Sequence, residues 1–429
     1  MLPQCRCLDE PYPIPQFSIE ERDVEALAPQ LRGFLAEFDG CFSRSEPREN
    51  LHRYLVGQFS QVERKSIEPI ALRVEGAEVR SMQRFISDVV WDEPVLIKKH
   101  HALVGNDMRD QAGVLIFDES GFVKKGEDSA GVARQYCGSL GKVENCQVGV
   151  FAAYASPQGY ALLDVELFVP ETWFDESHKD KRKKCRFPEG LTFKTKPQLA
   201  VQMLERVEKN EALSFKYAVA DSVYGASPDF IGAVEKRIGL TYFVSIPRNT
   251  LCWLQRPSVR ERSYKYKGQL KTKNYVPPDE KEPIKVSHFA KSLHDVFWYR
   301  RRVSEGTKGP VEYEFTKRRV TLSQDGLPGK TVWLVIKRTI GDAPIYSFYI
   351  SNAPTCTRLK TFVWLSGIRW AIEQCFEEAK TELGMDHYEI RKYPGWRHHM
   401  LSCILAHFFL WHIRIRLGKK SAFAYNIAA

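Results

Sequence analysis

Residues 113–118 read GVLIFD, a short apolar run that ends in an acid. A run of that length with no polar interruption predicts a strand buried on both faces. Working outward, CQVGVFAAYAS (146–156) and GYALLDVELFVP (159–170) predict two more strands, joined through the turn sequence Pro157-Gln158-Gly159. An amphipathic helix over 196–209 follows, then the apolar run FKYAVAD (215–221) as a strand. A helix over 227–239 closed by a glycine and the strand LTYFVSIP (240–247) complete the series. Three strands, helix, strand, helix, strand is a hairpin start continued by βαβ units. That order predicts an α/β fold of the RNase H-like kind, a mixed sheet flanked by helices, rather than a doubly wound sheet.

On the N-terminal side, residues 1–16 are proline-rich and predict an irregular arm. From Ser18 to about Leu103 the pattern is helical: Val24, Leu27, Leu31, Leu35 and Phe38 recur at three and four, and Ser18 with Glu21 fits a capping box. Further helices are predicted over 48–59, 62–74, 78–89 and 94–103. Such a bundle suits either binding of DNA ends or structural packing. On the C-terminal side, residues 248–350 are rich in Lys, Arg, Tyr and Trp and contain alternating stretches such as VFWYRRRV and KTVWLVIKRT. They predict a mostly β insertion, followed by helices over 360–383 and 396–417. The expected domains are therefore 1–109 (helical, DNA-binding), 110–247 (first part of the core), 248–350 (β-rich insertion) and 351–429 (closing helices of the core).

The chain has 429 residues, 43% of them hydrophobic and 12% aromatic, which allows two or three folded domains and argues against disorder. Its formal net charge of +10 suits contact with a polyanion. None of the ten cysteines forms a CxxC pair, and Cys5 and Cys7 lack histidine partners at zinc spacing, so free thiols in a reducing compartment are expected. The N-terminus has no apolar core of a signal peptide, and no uninterrupted apolar run reaches membrane-spanning length. The expectation is a soluble, cytoplasmic protein with no membrane partner.

Three acids stand in chemically suggestive places. Asp118 ends the first apolar run and Asp221 ends YAVAD, so both are expected at strand ends, although either could equally cap a turn. Glu373 lies within RWAIEQCFEEAK (369–380), four residues after Arg369 and seven before Lys380, and 100° per residue places all three on one helical face. That face also fits an ordinary ladder of ion pairs. Two carboxylates side by side are costly unless a cation neutralises them, so the set points to a metal site. Carboxylates are hard ligands suited to Mg²⁺, and three of them can hold two ions that activate an attacking oxygen and stabilise a leaving oxygen at phosphorus.

The stretch FDESGFVKKGEDSAGVARQYCGSLGKVENCQVGVF (117–151), with LFVPETWF (167–174), FKTKPQLA (193–200) and VADSVYG (219–225), resembles the DDE transposases of bacterial insertion sequences. The resemblance is to the insertion-sequence seven-oh-one family, a relative of the Tn-five and Tn-ten transposases, and covers roughly residues 110–400. The wider superfamily carries Tyr, two residues, Arg, three residues, Glu, six residues, Lys. Arg369, Glu373 and Lys380 match, and Ser366 stands at the Tyr position. Glu119 stands where a second Asp is usual. The resemblance implies a metal-dependent cut-and-paste transposase: Asp118, Asp221 and Glu373 as metal ligands, two Mg²⁺ ions that Mn²⁺ can replace, and Arg369 and Lys380 at the DNA phosphates. It also implies hydrolytic nicking, strand transfer through a freed 3′-OH with a hairpin among the routes, a homodimer on two DNA ends, and action at the nucleoid.

Further DNA contacts are expected at Lys124 and Lys125, at Arg134 and Tyr136, at Tyr224, and at Lys181, Arg182, Lys183 and Lys184 within a run of six basic residues in eight (179–186). Residues 256–273 add seven cations among tyrosines. A charge run is also the ordinary make-up of a solvated face. Trp298 fits either a strand core or a stacking platform for a flipped base. His387, His398 and His399 match no closed metal site and are expected at a helix end or facing DNA. Lys392–Arg397, Arg414, Arg416, Lys419 and Lys420 extend a basic face. Two other functions share these residues: an RNase H-like nuclease or resolvase without strand transfer, and a silent DNA-binding descendant of a transposase.

Overall fold

The computed structural model describes residues 21–267, 269–306 and 309–420. The proline-rich arm, the Ser18 cap, Cys5 and Cys7 lie outside the described residues, as do the side chains of Lys419 and Lys420. The described chain falls into two compact units, one drawn from residues before 217 and after 368, the other Tyr217–Ile368.

The first unit opens with helices: α1 (Glu21–Glu25), α2 (Leu27–Ala36), α3 (Ser45–Phe59), α4 (Ile67–Arg73), α5 (Val79–Ser87) and α6 (Glu93–Met108). The last begins where the sequence says it should: Asp92 accepts a hydrogen bond from Val95 N, and Pro94 occupies a position that needs no donor. Strands β1 (Val114–Val123), β2 (Ala133–Cys137), β3 (Lys142–Ser156) and β4 (Gly159–Phe168) form an antiparallel sheet. The long β3 pairs on one edge with β1 and on the other with β2 and then β4. Helix α7 (Lys179–Lys184) carries the basic run, and α8 (Lys196–Asn210) starts at a complete capping box between Thr195 and Gln198.

The second unit begins with β5 (Tyr217–Ala220), α9 (Ser222–Gly225), α10 (Pro228–Glu235) and β6 (Thr241–Ile246), and β5 runs parallel to β6. Ser227 caps α10 on Phe230 N. Gly225 is required where it stands, because a Cβ there would collide with the Ser245 carbonyl oxygen. The insertion supplies β7 (Leu251–Trp253), β8 (Arg260–Tyr266), β9 (Gln269–Tyr275), β10 (Ile284–Lys285), α11 (Val286–Ser292), β11 (Tyr299–Gly306), β12 (Gly309–Gln324), β13 (Leu327–Arg338) and β14 (Tyr346–Ser351). Strands β6, β14, β13 and β12 are neighbours in that order, β11 and β7 pair with β12, and β10 pairs with β7. The predicted β insertion thus shares one sheet with β5 and β6, and it also contains a helix, α11, that periodicity does not reveal. Strands β8 and β9 form a ribbon of their own. Helix α12 (Leu359–Ile368) closes this unit.

The chain then returns to the first unit with α13 (Trp370–Thr381) and α14 (Tyr393–Lys420). The single helix predicted over 360–383 is two, separated at Arg369. Helix α14 is long and apolar enough to cross a membrane, yet 72% of its most apolar window is buried inside the protein. Its residues Trp396, Met400, Ile404 and Phe408 are core, against β4, α3 and α5. Four strands, β1–β4, then helix, β5, helix and β6 add one short strand, β2, to the expected order, and the series is that of an RNase H-like α/β core.

Candidate active site

The apolar residues Val114–Phe117 anchor β1 in the core, and the strand does not stop at Asp118 as expected. It runs on to Val123, because Glu119, Ser120 and Gly121 keep their pairing with Val150, Gly149 and Val148 of β3. Asp118 is therefore mid-strand and half-buried. One of its oxygens accepts a hydrogen bond from Glu119 N at 2.9 Å. The other lies 2.7 Å from Nη1 of Arg369.

Arg369 sits at the break between α12 and α13 with helical backbone angles, φ −56° and ψ −29°. Its Nη2 donates to Oε1 of Glu373 at 2.5 Å. Glu373 is in the first turn of α13 rather than mid-helix. The unpaired amide groups of that turn favour a negative charge there. One guanidinium thus bridges two carboxylates 255 positions apart in a chain of 429 residues. Glu119 lies beside them, its carboxylate within 4.8 Å of that of Asp118. It pairs with Lys196 at 2.8 Å, and both side chains are largely buried. Lys196 carried no functional reading in the sequence, and the available signal was its place in the FKTKPQLA block.

A group of hard carboxylate donors held on a rigid strand and a helix start fits a divalent cation. The Arg369 guanidinium supports the fit, because it already supplies positive charge between two of the donors. Asp221 belongs to the second unit, where it follows β5 and caps α9 by accepting from Val223 N at 2.8 Å.

The remaining expected contacts divide sharply. Lys125, Arg134, Tyr136, Lys183 and Lys184 are exposed. Lys181 pairs at 3.9 Å with Glu127. Arg182 is occupied by its own backbone surroundings, donating to the carbonyls of Trp173 and Asp175. Lys124 is not a surface cation: its amine donates to Tyr388 O at 2.9 Å and lies 3.4 Å over the Tyr388 ring. Burial lowers its pKa to about 8. Lys380 is likewise turned inward, 3.4 Å from Gly121 O and 5.2 Å over the Phe122 ring, with its pKa lowered by burial.

Tyr224 is wholly buried, edge-to-face with Phe230 at 5.6 Å, so its expected DNA contact is corrected to a core role. Trp298 is 7% exposed, with the Arg338 guanidinium 4.2 Å over its ring and Tyr346 at 5.9 Å. The ring packs under Arg338 and against Tyr346, and of its two readings this burial favours the core one. His398 and His399 face neither DNA nor a helix end. Both are buried and bonded to the Ile86 and Met385 carbonyls, and burial lowers their pKa to about 4. Arg397 leaves the basic face too, buried between Glu93 and Glu166. Arg414 lies 4.3 Å over Trp411.

Residues 37–310 match the family described as DDE superfamily endonuclease. The chain is 25% identical over 353 residues to a protein of Microchaete diplosiphon described as a probable transposase for insertion sequence element IS701, covering 80% of this chain and 77% of the relative. Among solved structures, a piggyBac transposase synaptic complex with hairpin DNA aligns over 91% of this chain and 72% of its own, at 8% identity and a TM-score of 0.43. With a family match over more than half its length, the chain belongs to the DDE superfamily endonucleases, and within them it is a DDE transposase of the insertion-sequence kind.

Proposed function

We propose that Asp118, Asp221 and Glu373 are the metal-binding acids of a cut-and-paste transposase acting on double-stranded DNA, with two Mg²⁺ ions that Mn²⁺ can replace. The observation that carries the reading is the Arg369 bridge between Asp118 and Glu373, which joins two expected ligands through the one motif cation that would meet the DNA. Asp221 is included on its position after an apolar strand and on the match of VADSVYG. When bound, the divalent ions would supply positive charge to activate an attacking oxygen and stabilise the leaving one.

The chain's own residues do the rest. Asp118 and Glu373 hold the Arg369 guanidinium between their carboxylates. When a phosphodiester enters, the guanidinium is free to exchange a carboxylate for phosphate oxygens, which its planar fork matches equally well. Lys196 holds Glu119 in place. Lys380 and Lys124 are positioning residues that tie β1 to α13 and to the segment around Tyr388. Lys125, Arg134, Tyr136, Lys183 and Lys184 would contact the phosphate backbone, as would the N-terminal helices of residues 1–109. Hydrolysis of a phosphodiester frees a 3′-OH at each element end, and attack of that hydroxyl on a target phosphodiester joins the strands as the target's own 3′-oxygen leaves. Two ends cut in concert call for a homodimer on DNA, in the cytoplasm at the nucleoid.

The test uses duplex DNA with a pre-cut element end. Wild type joins the 3′-OH to target DNA only with Mg²⁺ or Mn²⁺, and Glu373→Gln binds the end without joining it. Cutting with no joining by wild type would replace this reading with a nuclease or resolvase.

A further inference from the structure

Strands β8 and β9 stand apart from the sheet of their unit as a two-stranded ribbon. All residues of β8 are exposed, and all of β9 except Tyr275. A free ribbon is marginally stable in water, and this one has no apolar face to bury. Its register explains what it has instead. Arg260 faces Tyr275, Arg262 faces Lys273, Tyr264 faces Lys271 and Tyr266 faces Gln269, and alternation puts these four pairs on one side. The opposite side carries Glu261 with Asn274, Ser263 with Thr272 and Lys265 with Leu270.

One side therefore gathers Arg260, Arg262, Lys271 and Lys273 among three tyrosines, and no acid of the described ribbon shares it. The other side balances one lysine with one glutamate. Arg262 directly across from Lys273 is a like-charge pair, an arrangement that costs stability in an isolated ribbon. An anion laid along this side removes the cost. Asp279, beyond the ribbon, reaches Arg260 at 3.4 Å, but both side chains are well exposed, so that pair offsets little.

We propose that this side of the β8–β9 ribbon docks in the major groove of double-stranded DNA. The inference rests on the DNA-acting function proposed above and names a surface for it. The major groove, about 12 Å wide, admits a two-stranded ribbon. Seven residues per strand at about 3.3 Å each extend about 23 Å, over which a duplex presents on the order of ten phosphates. The cations sit on both strands, spaced to meet phosphates on either wall of the groove. A single strand would instead need open aromatic faces, and the Tyr266 ring already lies under Lys271 at 4.9 Å.

The experiment measures affinity of the full chain for duplex DNA against salt concentration. Arg262→Ala with Lys273→Ala is compared with Lys265→Glu, which changes net charge equally on the opposite side. Each lost phosphate contact removes about 0.9 from the slope of log affinity against log salt, so the double variant loses about two and Lys265→Glu less than half a unit. Methylation of guanine N7, which lines the major groove, weakens wild type and leaves the double variant unaffected. Because the ribbon is exposed, the double variant unfolds at the wild-type temperature or slightly above it. Equal slopes in wild type and the double variant, equal effects of the two variants, indifference of wild type to N7 methylation, or a loss confined to single-stranded DNA each overturn the ribbon proposal while leaving the enzyme's function standing. A wild type that binds no DNA overturns both.

Discussion

Replacing Arg369 by Ala removes the cation that bridges Asp118 and Glu373, and the consequence for metal binding can be estimated from exposure. The Arg369–Asp118 pair is mostly buried, at 30% and 14% exposure, so its charge-assisted bond stabilises the metal-free arrangement by about 1–2 kcal/mol after discount for solvent. The Arg369–Glu373 pair is more exposed, with Glu373 at 48%, and as an i,i+4 helical pair contributes about 0.3–0.5 kcal/mol. A divalent ion that engages both acids displaces these bonds, and it also loses the repulsion of a neighbouring cation when Arg369 is absent. A total of about 1.5–2.5 kcal/mol corresponds to about 10- to 70-fold tighter metal binding in Arg369→Ala. Titration calorimetry with Mn²⁺ measures it, with Arg369→Lys expected between the two because it keeps the charge and loses the fork. Cleavage should fall in Arg369→Ala despite the tighter metal, since the phosphate-orienting group is gone. Unchanged or weaker metal binding in Arg369→Ala would contradict competition between Arg369 and the ions for the two acids.

The inward-facing residues give two further predictions. Lys124 has a folded pKa lowered to about 8 by burial, so between about pH 8 and its unfolded value near 10.4 the unfolded chain binds more protons and stability rises with pH. Relative to Lys124→Met, whose side chain does not titrate, wild type should therefore gain stability across that window by at most a few kcal/mol in denaturant midpoints, and a constant difference would contradict the buried placement. Trp298→Ala should cost about 3–5 kcal/mol of stability by leaving a cavity under Arg338, measured by thermal unfolding, while Trp298→Phe retains DNA cleavage. Full stability of Trp298→Ala, with a cleavage defect, would instead make it a DNA-stacking residue.

Apolar runs and turn residues make most of the core order legible in the sequence. The runs around Val114, Val150 and Leu163 read as buried strands and Pro157-Gln158-Gly159 as the turn between the last two, whereas the short β2 carries no such run. Boundaries that depend on partners were not legible. Glu119-Ser120-Gly121 has the composition of a turn, and β3 alone keeps it in a strand. The break at Arg369 has no proline to announce it. The same limit governs charge: Lys124, Lys380, Arg397, His398 and His399 look like surface residues in a list of letters. They are taken inside by Tyr388, Phe122, Glu93, Ile86 and Met385, all but the last hundreds of positions away in sequence. The Arg369–Glu373 spacing was readable as one helical face, but that Asp118 shares the guanidinium needed the fold. The one-sidedness of the β8–β9 cations became visible only with the strand register.

The metal-ligand role proposed for Asp118, Asp221 and Glu373 requires each of them to touch the ions directly. The most direct test replaces each in turn by Cys and measures cleavage of an element end in Mg²⁺ and in Mn²⁺. A thiolate is a poor ligand for hard Mg²⁺ and a better one for the softer Mn²⁺. Direct ligation predicts cleavage absent in Mg²⁺ and partly restored in Mn²⁺ at each of the three positions, with the Ala variants inactive in both metals. Activity of any Cys variant in Mg²⁺ at the wild-type level would contradict the claim for that residue.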